Sequence, residues 1–468
     1  MDKFFKITEH GSTVKTEIIA GFTTFFAMAY IIFVNPNQVT GFTEGLGNIW
    51  NAVYVASILA ATIGTLLMAL YAKMPFAQAC GMGLNSFFFV SFILPQVIAG
   101  GDCVQGYQAG LVIVLISGII FMILSLTGAR QYIAKAMPEC LKKAIPAGIG
   151  LFITYIGFQN VGIIQANQYT LTQFVDIHGA INGEGGIMTV LPALLALLGF
   201  LLIVILGKRN VKGNVLIGII ITAVLYYVFS GTVPSFDITQ IGQSFKDFAD
   251  IGVTGVFHAA SWKHAFSPEF VGGVFSAILY IITFCLIDMF DTIGTLYGTA
   301  AQADLLDENG DPQNLDKCMA CDSIATVSGA VLGTSTCTTF VESASGVAAG
   351  GRTGLTSLVV SICFFVCLFL TPLASIVPAC ATAPALIYVG VLMLGNFKNV
   401  DMSDLSSAAP AFLTLIAMPL TYSIANGIGI GSIAYTIIAI CTGKFQKKDI
   451  MVAIIGLLFC LKFIFITM

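Results

Sequence analysis

Three acidic residues lie inside hydrophobic segments of this chain, where an ionised group is costly. Asp288 and Asp291 share one apolar segment, and Glu342 lies in the next segment but one. A charge near the centre of a bilayer costs at least about 2.5–3.5 kcal/mol on insertion scales, so such residues indicate a functional site. Carboxylates can accept hydrogen bonds from a substrate and can take up a proton. These three positions are therefore the first candidates for the chemistry of the protein.

The composition predicts a protein that crosses a membrane many times. Among 468 residues, 57% are hydrophobic and 9% are charged, and the mean hydropathy is +0.93. A spanning helix needs about 20 apolar residues, and the chain contains many such runs. The net charge of −4 says little about partners. Nucleic acid is not an expected partner, because no basic patch with interleaved aromatic residues is present.

The apolar runs predict about 14 transmembrane segments. They lie at 16–35, 50–72, 76–95, 107–128, 144–165, 188–207, 213–230, 270–299, 318–335, 337–350, 353–372, 381–396, 406–425 and 426–443. A further apolar stretch covers 449–467. The pattern leaves open whether the region 426–467 holds one span or two.

The distribution of Lys and Arg predicts the orientation of these spans. Basic residues precede span 1, follow span 2, and lie between spans 4 and 5 and between spans 6 and 7. The positive-inside rule makes that side cytoplasmic. No small-residue cleavage site follows the first apolar run, so we expect it to be retained as a helix. The expected location is the inner or plasma membrane of the cell, with a cytoplasmic N-terminus.

Two matching segments point to a central site built on an inverted repeat. Seven spans leave the chain outside, so seven further spans run with opposite orientation, as an inverted repeat requires. The third span of each half is rich in Gly, Ser or Thr, at 77–88 and 333–346, and carries Asn85 or Glu342 near its middle. Short interrupted segments at matching positions are typical of a transporter's binding site. Non-helical backbone at membrane depth is tolerated only where it is buried or lines a cavity.

Several of these residues have a second interpretation. Asp288 and Asp291 are three residues apart and share roughly one helix face, although either could lie in water at a helix end. Asn85 either contacts a ligand or joins helices, as membrane Asn residues often do. Phe87 and Phe340 flank the polar positions, and each either stacks on a ligand or packs against its surroundings.

Two local motifs suggest other chemistry but lack its context. The stretch 346–353 fits a phosphate-binding loop only if Arg352 replaces Lys, and it follows an apolar run in place of a strand. Cys318-x-x-Cys321 has no second pair and no nearby His, so the cysteines are read as small buried hydrophobes. The four histidines lie outside the predicted spans, which leaves proton handling to the carboxylates.

Five motifs resemble those of the AzgA-like purine permeases, which belong with the uracil and xanthine permeases in the nucleobase–cation symporter superfamily. They are Gly81-Met-Gly-Leu-Asn85, Asp288-Met-Phe-Asp291-Thr-Ile-Gly-Thr295, Thr-Thr-Phe-Val-Glu342-Ser-Ala-Ser-Gly346, Gly350-Gly-Arg-Thr-Gly354 and Met418-Pro-Leu-Thr-Tyr-Ser-Ile-Ala425. The resemblance covers essentially the whole chain. It implies an all-α polytopic membrane protein of two inverted repeats of seven spans, with short strands and half-helices in spans 3 and 10.

The resemblance also implies a division into two domains. A core domain would comprise spans 1–4 and 8–11, and a gate domain spans 5–7 and 12–14. In this sequence the core covers 1–128 and 269–372, the gate covers 129–230 and 373–468, and 231–268 is an extracytoplasmic loop. Substrate is expected between the short strands of spans 3 and 10.

Roles for single residues follow from the same resemblance. Asp291 aligns with the substrate carboxylate of span 8, and Glu342 with that of span 10. Phe340 takes the aromatic position before Glu342, and Asn85 matches the Asn of span 3. Uracil permeases carry His in span 8 where this chain has Thr292 and Thr295, which argues against His-based proton coupling. The predicted substrate-binding residues are Asp291, Glu342, Asn85, Phe340, Phe87 and Thr292, and those for proton coupling are Asp291, Glu342 and Asp288.

The expected function is uptake of hypoxanthine, guanine or adenine together with a proton, by alternating access and without a cofactor or metal. The bilayer is the other expected partner, and a homodimer is one state that the sequence leaves open. Transport of anions on the same general fold is an alternative, disfavoured by the acids and by the lack of Arg or Lys at membrane depth. An intramembrane aspartyl enzyme is a further alternative, but its Gly-x-Gly-Asp signature is absent. The sequence does not distinguish among the purines, and it does not distinguish a proton from sodium as the coupling ion.

Overall fold

Apolar helices make up most of the structure, a computed structural model that describes residues 2–43, 45–127, 137–183, 186–234, 236–302, 305–306 and 312–465. Within those ranges, ten helices are long and apolar enough to cross a membrane. Asn214–Ser230 and Leu405–Leu420 are shorter apolar helices. The predicted all-α polytopic membrane protein is therefore confirmed.

The first half of the chain contains nine labelled helices. They are α1 Val14–Met28, α2 Ile31–Thr40, α3 Gly47–Leu67, α4 Met82–Phe88, α5 Leu94–Ala99, α6 Cys103–Thr127, α7 Glu139–Asn160, α8 Leu191–Lys208 and α9 Asn214–Ser230. Its strands are β1 Gln78–Cys80, β2 Ile164–Asn167 and β3 Leu171–Phe174. Wider π-helical turns at Met68–Ala72 and Phe89–Ile93 extend α3 and α4.

The second half repeats this arrangement after a helical connection. The connection holds α10 Gln240–Asp247 and α11 Ala259–Ala265. There follow α12 Val274–Gln302, α13 Leu315–Leu332, β4 Cys337–Thr339, α14 Ser343–Ala348, α15 Gly354–Val366, α16 Ala379–Leu394, α17 Leu405–Leu420, α18 Ile424–Cys441 and α19 Ile450–Phe465. The region 426–467, which the sequence left open, contains two helices, α18 and α19.

A helix occupies the place of each of the fourteen predicted spans, yet four of them fall short of the length or composition of a simple spanning helix. α9 and α17 have 17 and 16 residues. α14 has six residues. α13 is long enough, but it contains Asp316, Lys317 and Asp322. The polar α13 and the short α14 are the ones that lie beside strand β4.

Strands β1 and β4 join the two halves of the chain in the protein interior. They pair antiparallel with Gln78 opposite Thr339, Ala79 opposite Thr338 and Cys80 opposite Cys337, and all six residues are buried. Backbone bonds from Gly81 to Thr336 and from Phe340 to Ala77 extend the pairing. This pairing satisfies backbone groups that would otherwise be unpaired at membrane depth. The short strands predicted in spans 3 and 10 are thus confirmed.

The helices pack in two groups that meet beside this strand pair. One group includes α1, α3, α6, α12, α13 and α15, and the other includes α7, α8, α9, α16, α17 and α18. The groups touch where α7 contacts α4 and α12, and also where α9 contacts α1. Close contact is possible there because Gly83 of α4 has no side chain, and a Cβ at that position would lie 2.2 Å from Cγ2 of Ile149 on α7.

The described part of the segment 231–268 contains helices, whereas the sequence predicted only a loop. Its helices α10 and α11 pack against α3 and α6 respectively. Asn51 Nδ2 of α3 donates to Asp247 Oδ2 at 2.7 Å, and Ser244 Oγ donates to Asn51 Oδ1 at 3.2 Å. These bonds fix α10 over the N-terminal part of α3.

Candidate functional site

A cavity of about 510 Å³ lies between the two helix groups. Its volume falls within the roughly 300–1,000 Å³ usual for small-molecule sites. One wall consists of the ends of β1 and β4 with part of α12, and the opposite wall comes from α7, α16 and the turn that follows α16. The lining residues include Gly81, Met82, Gly83, Asp291, Thr338, Phe340, Glu342, Lys142, Lys143 and Met393.

Charged residues of both signs surround the mouth of the cavity, and acidic residues lie deeper inside it. Lys142 and Glu139 form an exposed ion pair of 2.7 Å at the start of α7, and Lys143 Nζ donates to the carbonyl of Asn399 at 2.9 Å. Both lysines therefore have partners at the protein surface. Asp291 and Glu342 lie deeper, on the wall that carries the strand pair.

Glu342 lies in the interruption of span 10, between β4 and α14. Its position follows from the chain break: Phe340 ends the strand pairing, and α14 begins at Ser343. Tyr30, which is fully buried between α1 and α2, donates a hydrogen bond from Oη to Glu342 Oε1 at 2.5 Å. The carboxylate is therefore held by one oxygen while its side chain remains half-buried at the cavity wall.

Asp291 reaches the same wall from an unbroken helix. It lies in the middle of α12, is half-buried, and its Oδ2 is 3.5 Å from Oγ1 of Thr338 on β4. Phe340, also at this wall, is 5% exposed. Of the residues predicted from the sequence, the structure thus brings Asp291, Glu342 and Phe340 together around one cavity.

Asn85 lies behind the strand pair and does not line the cavity. Its Nδ2 donates to Oδ1 of Asn35, and its Oδ1 accepts from the hydroxyl of Ser335. Both ends of the amide are engaged, so Asn85 joins α4 to α2 and to the residues before β4. Gly81, Met82 and Gly83, and not Asn85, form the part of the cavity wall that span 3 contributes.

Phe87, Thr292 and Asp288 are likewise turned away from the cavity. Phe87 is 1% exposed and packs on Phe284 of α12 with 5.0 Å between ring centroids. Thr292 Oγ1 donates to Asp322 Oδ2 at 2.5 Å. Asp288 Oδ2 accepts from Thr326 Oγ1 at 2.7 Å. The last two residues face α13, because positions 288 and 292 are one turn apart on the same helix face.

Asp322 is a further buried carboxylate that the sequence interpretation missed. It is fully buried on α13, where its Oδ1 accepts from Gln78 Nε2 at 3.1 Å and from Thr339 Oγ1 at 3.3 Å. Together with Thr292 these donors tie β1, β4 and α12 to α13. The sequence offered a signal for this residue, because Asp322 falls within the predicted span 318–335. It lies near the start of that span among polar residues, however, and so resembles an acid at a helix end.

Glu17 and Arg352 form a second buried polar contact away from the cavity. Glu17 is fully buried and accepts from the backbone N–H of Arg352 at 2.9 Å and of Thr353 at 3.2 Å, and from Thr356 Oγ1 at 2.6 Å. The Arg352 guanidinium donates to the carbonyls of Val347 and Gly351. The stretch 346–353 therefore ties the start of α15 to α1.

In the ranges that the structure describes, no group of three or more His, Cys, Asp or Glu residues could hold a metal ion. Cys318 and Cys321 are buried on α13 and are not joined in a disulfide bond.

Paired strands that interrupt two helical spans, with a cavity beside them, define a membrane transporter of the inverted-repeat class. The chain belongs to the family described as the Permease family (xanthine/uracil permeases), whose model matches residues 15–430. It is thus a multi-pass membrane permease and not an enzyme.

Curated relatives span the whole chain. The guanine/hypoxanthine permease PbuG of Bacillus subtilis is 42% identical over 473 residues, which is 100% of both chains. The adenine permease AdeQ of Escherichia coli is 37% identical over 468 residues, covering 100% of this chain and 96% of that relative.

A solved structure shares the fold. The transmembrane domain of the cyanobacterial bicarbonate transporter BicA superposes with a TM-score of 0.59 at 15% sequence identity. The match covers 88% of this chain and 96% of BicA's. At this identity the likeness concerns the fold alone.

Proposed function

We propose that this chain is a permease for the purine bases hypoxanthine, guanine and adenine, which it takes up together with a proton by alternating access. The observation that carries the proposal is the placement of Asp291, Glu342 and Phe340 on one wall of a cavity of about 510 Å³. The full-length similarity to permeases named for guanine, hypoxanthine and adenine supports this choice of substrate.

The chemistry of the wall suits a purine. A purine has ring N–H and exocyclic donors along its edges, and the carboxylates of Asp291 and Glu342 are acceptors. Its flat apolar face can stack on an aromatic ring such as Phe340. Thr338, beside Asp291, adds a hydroxyl that can donate or accept. A neutral base would therefore satisfy the acidic wall without bringing a second charge into the membrane.

We propose further that the two helix groups are the core and gate domains. On this proposal the core comprises 1–128 and 269–372, and the gate comprises 129–230 and 373–468. The cavity lies between them and opens beside Lys142 and Lys143, the side that the distribution of basic residues assigns to the cytoplasm. The structure would then represent an inward-open state, with the N-terminus inside. Sliding of the core past the gate would close this mouth and open the opposite side.

Anion transport on the same fold is the second candidate. Its support is the fold shared with a bicarbonate transporter and the presence of Lys142 and Lys143 at the cavity mouth. Both lysines already have partners, and the deeper wall carries two acids that would repel an anion. Purine transport is therefore the better fit.

Uptake of radiolabelled hypoxanthine, guanine and adenine into cells and proteoliposomes tests the proposal. Wild-type protein should accumulate purine, with unlabelled purines but not uracil, sulfate or bicarbonate competing. Glu342→Gln and Asp291→Asn should abolish this uptake. Glu9→Gln and Asp250→Asn, which make the same changes at exposed sites, should behave as wild type. Wild-type uptake by either site variant, or efficient competition by the anions, would refute the assignment.

A further inference from the structure

We propose that Asp288 is the residue that binds the transported proton, and that Thr326 couples the protonation of Asp288 to the hydrogen bonding of strand β4. The inference rests on the proposed transport function and places proton binding behind the substrate wall, one turn of α12 from Asp291. It therefore separates the two carboxylates that face the substrate from the one that carries the proton.

The contacts of Asp288 suit a neutral carboxylic acid. The residue is 1% exposed, its Oδ2 has one contact, with Thr326 Oγ1 at 2.7 Å, and its Oδ1 is buried without a hydrogen-bond partner. An ionised carboxylate can accept about four hydrogen bonds, and a buried charge that lacks them is strongly unfavourable. Asp322 provides the contrast, because three donors from Gln78, Thr292 and Thr339 surround it.

Thr326 shows how the proton on Asp288 can act on the strand. Its hydroxyl has a single proton but faces two acceptors, Asp288 Oδ2 at 2.7 Å and the carbonyl of Cys337 at 3.1 Å. It also accepts a hydrogen bond from the N–H of Cys337 at 3.1 Å. If Asp288 is protonated, the acid donates to Thr326 and Thr326 donates to Cys337, so that both contacts are satisfied. If Asp288 is ionised, the hydroxyl proton turns to the carboxylate and the Cys337 carbonyl loses its donor.

The loss of that bond would reach the substrate wall directly. Cys337 is the first residue of β4, opposite Cys80 of β1. Thr338 follows in the strand, and Phe340 just after it extends the pairing through its bond to Ala77. Thr338 and Phe340 line the cavity. Release of the proton from Asp288 to cavity water, by way of Asp291 one turn along α12, would thus loosen the strand that positions the purine. Proton release and substrate release would be coupled through one hydroxyl group.

The charged surroundings favour a proton over a metal cation. The titratable groups that interact with Asp288 are Cys285 and Asp291 on α12, Asp322 on α13 and Cys337 on β4. Helices that contact α12 also carry basic residues, among them Lys462 of α19 and Lys142 and Lys143 of α7. Of the cations, Lys462 lies 5.4 Å from the ring of Tyr280, and the α7 lysines are at the cavity mouth. A hard metal cation requires several oxygen ligands at once, whereas Oδ1 of Asp288 has no hydrogen-bonding neighbour.

Two variants separate proton coupling from substrate binding. Asp288→Asn should retain purine binding and purine–purine exchange in proteoliposomes, but lose accumulation driven by a pH gradient and lose purine-dependent proton movement. Its exchange rate should no longer depend on pH in the range where the wild type does. Thr326→Val should also retain exchange and lose accumulation, and Thr326→Ser should restore it. Thr283→Val is the matched control, because Thr283 is a buried threonine of α12 whose hydroxyl bonds only its own helix, at Leu279.

The outcomes distinguish this inference from the proposed function. Accumulation by Asp288→Asn with wild-type pH dependence would overturn the inference, as would accumulation driven by a sodium gradient without a pH gradient. If Asp288→Asn fails to fold, the Thr326 pair decides: equal behaviour of Thr326→Val and Thr326→Ser would overturn the role of the hydroxyl. A wild-type protein that neither binds nor exchanges purine would instead refute the proposed function.

Discussion

Tyr30 and Glu342 are joined by a hydrogen bond of 2.5 Å, although 312 residues separate them in the chain. The bond connects the turn between α1 and α2 to the interruption of span 10. Tyr30 is fully buried and donates to only one carboxylate oxygen. It therefore fixes the orientation of Glu342 while leaving the other oxygen available for a substrate.

Removing this phenol should weaken substrate binding more than stability. Hydrogen bonds to charged groups contribute about 1.5–3 kcal/mol, so Tyr30→Phe should reduce purine affinity by roughly tenfold to a hundredfold. Equilibrium binding of radiolabelled purine to purified protein measures this. Tyr54→Phe is the matched control, because Tyr54 is also buried but donates to the carbonyl of Cys367, away from the cavity. Equal affinities of the two variants would show that Tyr30 does not position Glu342.

Loss of Asp322 should destabilise the strand pair and with it the whole protein. Asp322→Ala would leave donors of Gln78, Thr292 and Thr339 unpaired in the interior. Each such group costs about 1–3 kcal/mol, so the thermal unfolding midpoint of the purified protein should fall markedly. Asp322→Asn keeps one acceptor oxygen, so the midpoint of this variant should fall less. Asp250 is exposed, so Asp250→Ala should leave the midpoint unchanged. A similarly small effect of Asp322→Ala would show that Asp322 does not hold the strand pair to α13.

Gly83 should be needed for the contact between the two helix groups. A Cβ at Gly83 would lie 2.2 Å from Cγ2 of Ile149, and overpacking of this kind costs about 1–3 kcal/mol. Gly83→Ala should therefore slow transport, and Ile149→Ala in the same protein should restore much of the rate. Gly242→Ala, where no atom lies within 4 Å, is the control. Additive losses in the double variant would indicate that the contact does not matter.

Asp404 should give a pH-dependent contribution to stability outside the membrane. It caps α17, where its Oδ1 accepts from the backbone N–H of Ser406 at 3.0 Å. This bond, the Ser406 hydroxyl and the charge of Lys444 hold the pKa of Asp404 below its ordinary value of 3.8. A lowered folded-state pKa stabilises the protein above 3.8, and this stabilisation is lost as the pH falls through the lowered value.

The corresponding experiment compares unfolding midpoints of wild type and Asp404→Ala. The midpoint of the variant should be lower at neutral pH, and the difference should narrow as the pH falls below 3.8. Asp404→Asn retains a capping side chain, so its midpoint should lie between those of the wild type and Asp404→Ala. A difference that does not change with pH would show that the charge of Asp404 is not involved.

The sequence could predict Asp291 and Glu342 because burial of a carboxylate in an apolar segment is visible without a structure. The Gly-, Ser- and Thr-rich composition of 77–88 and 333–346 likewise predicts interrupted spans, and β1 and β4 confirm it. The number of long helices was harder to predict. α13 is polar and α14 short, because both belong to the interior around the strand pair and face protein in place of lipid.

The roles of Asn85, Phe87 and Thr292 could not be read from the chain. Each lies within one turn of a predicted site residue, but a few tens of degrees of helix rotation decide whether a side chain faces a cavity or a neighbouring helix. Asn85 faces Asn35 and Ser335, and Thr292 faces Asp322. Asp322 was overlooked for the same reason, since only its partners distinguish it from an acid at a helix end.

By itself, the sequence determined that this is a polytopic membrane permease with acidic residues at membrane depth, because the energetic cost of burying charge leaves a local signature. Only the tertiary structure decided which acids share the cavity and which pair with hydroxyl groups behind it. That division depends on contacts between residues far apart in the chain, such as Tyr30 with Glu342 and Asp288 with Thr326. Such contacts follow from the packing of whole helices and from no local pattern.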